Sequence, residues 1–66
     1  MKKIGEEIRS RRKLLKIDQK TLSELAGVSI NTITKIERGE ANPSVNVLKK
    51  ILDTLGMEIK IIIKGN

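Results

Sequence analysis

The side chains able to do chemistry in this chain are amides, hydroxyls, cations and carboxylates, because histidine, cysteine and tyrosine are all absent. That removes the usual general bases, nucleophiles and thiolate metal ligands together. No phosphate-cradling glycine loop is present either. An enzyme is therefore not expected, and neither is a metal or a cofactor. The polar groups that remain cluster between Gln19 and Asn42. Asn31 suits adenine, whose N6 and N7 it can bond together, and Lys35 suits O6 and N7 of guanine. Ile30 and the Thr32 methyl suit the methyl of thymine. The chemistry these residues offer is hydrogen bonding and apolar contact with a partner, not turnover.

The charge balance points the same way without choosing a partner. Fourteen Lys and Arg stand against eight Asp and Glu, a net charge of +6. A basic surface favours polyanions, either nucleic acid or an anionic membrane. Zero aromatic residues leaves no stacking platform for single-stranded RNA. No signal-peptide pattern and no apolar run near the roughly 20 residues of a bilayer span is visible, so a cytoplasmic location is expected. Arg9, Arg11, Lys13 and Lys16 have two readings, flanking a DNA backbone or keeping a helix solvated; the second is simpler for most of them.

The elements that must position these residues follow from periodicity. A first helix is predicted over about 3–15, with Ile4, Ile8 and Leu15 on one face and Arg12 interrupting it. Asp18 caps a second, over about 19–26, whose apolar face is Leu22, Leu25 and Ala26. Gly27 ends it. Ser29 caps a third, roughly 30–37, which buries Ile33, Ile36 and the unexpected Glu37. Gly39 stops it, and Arg38 to Pro43 reads as a loop. Ser44 caps a fourth, about 45–55, with Val45, Leu48, Ile51, Leu52 and Leu55 as its apolar stripe. The segment 57–64 alternates with period two apart from Ile62 and is rich in β-branched residues, so a strand is predicted there.

Two short helices crossing closely need a small residue in the first, a positive-φ residue in the turn, and an apolar anchor in the second. Ser23, Gly27, Val28, Ile33 and Ile36 supply these at positions five, nine, ten, fifteen and eighteen counted from Gln19. That order is what a helix-turn-helix requires. An αα-hairpin with a glycine turn would need no such set. The stretch QKTLSELAGVSINTITKIERGEANPS, Gln19 to Ser44, resembles the Xre/Cro–C1-type helix-turn-helix family of bacterial and phage repressors. With the flanking helices the resemblance covers about residues 3–55. Ser23 departs from the family's usual alanine, and the strand replaces the fifth helix of many members.

The resemblance implies a mainly all-α, four-helix lambda-repressor-like helix-turn-helix domain. Residues 1–56 would form its DNA-binding part and 57–64 the dimerisation strand of the same single domain. It implies that Ile30, Asn31 and Lys35 face the major groove of double-stranded DNA, with Thr32 and Thr34 beside them on the outward face. Gln19, at the start of the second helix, is the expected phosphate clamp. Ser29, Arg38 and Asn42 are further phosphate candidates, a solvated charge being the equal alternative for Arg38. Arg12 and Glu37 each interrupt an apolar face with opposite charge, so mutual pairing is the economical arrangement, and the family shares the link.

A lone strand leaves its backbone unpaired. The simplest partner is the same strand of a second copy, giving an antiparallel ribbon with Met57, Ile59, Ile61 and Ile63 over the helices. The expected protein is then a homodimeric repressor reading a palindrome. The segment LGMEIKIIIK also resembles HipB-type antitoxins, which implies a kinase-like toxin as an alternative partner.

Overall fold

The computed structural model describes residues 2–60. It contains four helices, α1 (Lys2–Leu14), α2 (Gln19–Ala26), α3 (Ile30–Glu37) and α4 (Val45–Thr54). α1 packs on α3, α2 packs on α3, and α4 packs on α2. Among the described residues, nine apolar side chains are buried between them: Ile8, Leu22, Ala26, Ile33, Ile36, Leu48, Ile51, Leu52 and Leu55. Ile4, Ile17, Val28, Ala41, Val47 and Met57 close the edges of this cluster. Without aromatic side chains the core depends on branched aliphatics that interlock in few rotamers.

Each helix boundary has a local cause. The Asp18 carboxylate accepts the Thr21 N–H at 2.7 Å, and the Ser29 and Ser44 hydroxyls accept those of Thr32 and Val47 at 3.2 Å each. These satisfy amides that the first turn of a helix leaves without partners. The C-terminal ends share one geometry. The N–H groups of Ile17, Val28, Glu40 and Met57 each donate back five residues, to Arg12, Ser23, Lys35 and Leu52. That closure needs a left-handed residue just past the helix. At three ends it is glycine, but after α1 it is Lys16, at φ 59°. Gly5 has a different task. A β-carbon there would collide with the Ile36 carbonyl oxygen and lie 3.2 Å from that of Glu37, so α1 meets α3 backbone against side chain-free backbone.

Three expected core residues are on the surface. Leu15 is 42% exposed, Leu25 66% and Val45 72%. Leu15 lies just past the end of α1, in the turn that Lys16 completes, and Ile17 packs in its stead. α2 buries Leu22, Ser23 and Ala26, so the close crossing at Ser23 rotates its inner face away from Leu25. Val45 stands at the first position of α4, at the edge of the face that carries Leu48, Ile51 and Leu52, where no neighbouring element covers it.

The second half of the strand expected over 57–64 falls outside the described residues. Met57 to Lys60 have no regular secondary structure, and among the described residues there is no strand for them to pair with. Ile61 and Ile63 lie outside the described residues. Met57 is packed on the core, whereas Ile59 is 49% exposed.

Candidate nucleic-acid interface

α3 is fixed by its inner face and free on its outer one. Ile33 and Ile36 are fully buried or nearly so. Asn31 and Lys35 are exposed on the other side, and Ile30 is 44% exposed. Leaving an isoleucine in water at the start of a helix gains nothing for folding. Thr32 is half-buried and its hydroxyl lies 2.8 Å from that of Ser29. Both hydroxyls are thus partly occupied in capping α3. Thr34 is also half-buried, and its hydroxyl is within donating distance of the Ile30 carbonyl, 2.9 Å, and the Gln19 side-chain carbonyl, 3.0 Å. Of the five outward positions, Ile30, Asn31 and Lys35 therefore present free side chains, and the two threonines are turned into local contacts.

Behind this face stands a connected polar network. Arg12 donates from Nε to Glu37 Oε2 at 2.7 Å and from Nη2 to Oε1 at 3.0 Å, a bidentate pair. Its Nη1 donates to the Ile17 carbonyl at 2.9 Å, which ties the pair to the α1–α2 turn. The two side chains are 11% and 3% exposed. Gln19 donates its amide to Glu37 Oε1 at 3.1 Å while receiving Thr34. Among the described residues no buried side-chain nitrogen or oxygen lacks a partner. Burial opposes ionisation of Glu37, but the hydrogen bonds of Arg12 and Gln19 outweigh it and hold its carboxyl below the ordinary value. The Glu37 hydrogen bond raises Arg12 further, so both stay charged.

Gln19 thus sits at the first position of α2 with its amide already oriented. Asp18 takes the Thr21 N–H, and the hydrogen bond depresses its own pKa. The first N–H groups of α2 have no acceptor within the helix. Beside them lies a polar hollow of about 280 Å³ lined by Arg9, Arg12, Gln19, Thr34, Glu37 and Arg38. Arg38 is exposed at the end of α3, and Asn42 and Ser29 are exposed in the flanking loops. Arg9 joins this surface too, although nothing in the sequence sets it apart from Arg11, Lys13 and Lys16. Arg11 departs from a solvated reading altogether, because its Nε donates to the Leu55 carbonyl at 2.9 Å and so closes the end of α4 from α1.

Among the described residues no helix is long and apolar enough to cross a membrane, and no acidic or imidazole cluster could hold a metal ion.

A capped helix, a left-handed turn at Gly27 and a second capped helix with its outer face bare define a helix-turn-helix domain. The helix-turn-helix family model matches residues 8–62, and the chain belongs to that family, of the Xre/Cro–C1 type. An uncharacterized HTH-type transcriptional regulator of Haemophilus influenzae is 39% identical over 56 residues, which cover 85% of this chain and 57% of that protein. The immunity repressor protein of Bacillus phage phi105 is 33% identical over 60 residues, covering 91% and 42%. Repressor protein C2 of Salmonella phage P22 is 38% identical over 63 residues, covering 96% and 29%. The chain therefore spans between about a third and somewhat over half the length of these relatives. Among solved structures, the restriction-modification controller protein C.AhdI from Aeromonas hydrophila superposes with a TM-score of 0.82 at 30% identity, covering 86% of each chain.

Proposed function

We propose that this protein is a sequence-specific regulator of transcription that binds double-stranded DNA, with α3 in the major groove. The observation that carries the reading is the free outer face of α3, where Asn31, Lys35 and exposed Ile30 offer an amide, an ammonium and a methyl to base edges. Gln19, Arg38, Ser29 and Asn42 would hold the flanking phosphates and set the angle of entry. The relatives' names, two of them repressors, support repression as the outcome. Met57 and Ile59, with Ile61 and Ile63, would join two copies, so that two recognition helices read a palindrome roughly 34 Å apart in successive major grooves. No observation on the described residues favours an antitoxin role.

Selection of bound sequences from a random duplex pool tests this directly. An enriched site with two-fold symmetry and half-sites about one helical turn apart supports the whole reading. A pool that enriches nothing above background would overturn it.

A further inference from the structure

Gln19 is the chain's sole glutamine, and the protein engages both ends of its side-chain amide. Nε2 donates to Glu37 Oε1 at 3.1 Å, and Oε1 lies 3.0 Å from the Thr34 hydroxyl. These two contacts define which way round the amide sits. Glu37 is held as a carboxylate by two bonds from Arg12. A carboxylate only accepts, so the NH2 end of Gln19 must face it. The carbonyl end then needs a donor, which Thr34 supplies. Of the two hydrogens on Nε2, one goes to Glu37, and among the described residues the other has no protein acceptor. Gln19 is half-buried, so its amide still reaches the surface at the polar hollow that it lines with Thr34, Arg9 and Arg38.

Thr34 does not need this bond for itself. Its single proton has a second acceptor in the Ile30 carbonyl, 2.9 Å away and one turn back in the same helix. A helical threonine commonly satisfies its hydroxyl in that way. The bond to Gln19 is thus the one that crosses from α3 to α2.

We infer that Thr34 is a positioning residue of the DNA interface. By donating across to α2 it fixes the orientation of the Gln19 amide, so that the remaining Gln19 N–H is set in advance for a backbone phosphate. The inference rests on the DNA-binding part of the proposed function, and it moves Thr34 from the reading of bases to the phosphate side of the interface. A glutamine side chain has much rotamer freedom to lose when it is ordered. An amide held at both ends before the duplex arrives loses less of it on binding. Because the donor stands on α3, the same contact also ties the phosphate clamp to the helix that enters the groove.

The test compares Thr34→Val, which keeps the branched shape and removes the hydroxyl, with Thr34→Ser, which keeps the hydroxyl. Affinity for a selected duplex and for arbitrary duplex is measured for each, with and without Gln19→Ala. Thr34→Val should weaken both duplexes by a similar factor, about three- to tenfold, the range of one hydrogen bond. Thr34→Ser should bind like wild type. In the Gln19→Ala background Thr34→Val should change affinity by less than about twofold, because no amide is left to position. A second readout needs no DNA. The side-chain amide resonances of Gln19, the sole glutamine pair in the spectrum, should move toward those of an exposed amide in Thr34→Val and stay in place in Thr34→Ser. An equal loss with and without Gln19, a changed base preference in Thr34→Val, or amide resonances that do not move would overturn the positioning role while leaving DNA binding intact. A wild type that binds no duplex would overturn the proposed function itself, and this role with it.

Discussion

Glu37 is the residue on which most depends. It is 3% exposed, holds Arg12 through two bonds and steadies Gln19 through a third. Removing one partner of a buried pair leaves the other charge uncompensated, which costs roughly 3–5 kcal/mol. Glu37→Ala should therefore lower stability by that amount in urea titration, and an unchanged midpoint would contradict the assignment. The pair also sets an acid limit. The Glu37 carboxyl is depressed below its ordinary 4.5 in the folded state, so its contribution is complete above that value. It is lost as the pH falls through and below that value, when the folded form must take up the proton. The melting temperature should fall on acidification below about pH 4.5, and the fall should be shallower in Glu37→Gln. Asn31 belongs to a different kind of experiment. Asn31→Ala should weaken binding to a selected site by about 1–3 kcal/mol while leaving binding to arbitrary duplex unchanged. The interrupters Arg12 and Glu37 stand out in the sequence because a charge on an apolar face is conspicuous. Thr34 does not. Its tie to Gln19 spans two helices whose relative placement no local pattern contains, and so it reads as another outward hydroxyl.

At the level of the helices, what is local is legible. Asp18, Ser29 and Ser44 announce their helices because a cap is made within three residues of itself. Gly27 announces the turn because few other residues rest at its φ of 69°. Lys16 occupies the same conformation without any such signal, and the end of α1 is accordingly misjudged by one residue. It also carries a cost. A non-glycine residue in the left-handed region costs on the order of 1–2 kcal/mol, more than the roughly 0.4–1 kcal/mol that glycine's extra freedom in the unfolded chain costs, so Lys16→Gly should raise the melting temperature in a thermal denaturation. Gly5 runs the opposite way. Alanine is favoured over glycine within a helix by about 1 kcal/mol, yet Gly5→Ala should destabilise, because the added methyl meets the Ile36 carbonyl and overpacking typically costs about 1–3 kcal/mol. The exposure of Leu25 and Val45 escapes a periodicity argument for a related reason. Short helices show several plausible apolar faces, and the choice among them is made by neighbours.

Across the whole molecule, a net charge of +6 predicts binding that weakens steeply with salt, as counterions return to the phosphates. Arg38→Ala should shift affinity by a similar factor on every sequence and reduce the slope of log affinity against log salt by roughly one. A slope identical to wild type would remove Arg38 from the phosphate contacts.

The bond from Arg11 to the Leu55 carbonyl joins residues 44 positions apart, and it bears on the order in which the molecule comes undone. Contacts between α1, α2 and α3 close shorter stretches of chain, so they can form before that long span is ordered. α4 rests chiefly on α2, and that clasp ties its end to α1. It is the natural unit to detach first, in a partial opening that leaves α2 and α3 standing. Native-state hydrogen exchange should then show the amides of α4 opening at a lower free energy than those of α3. Removing the clasp in Arg11→Ala should accelerate exchange in α4 alone.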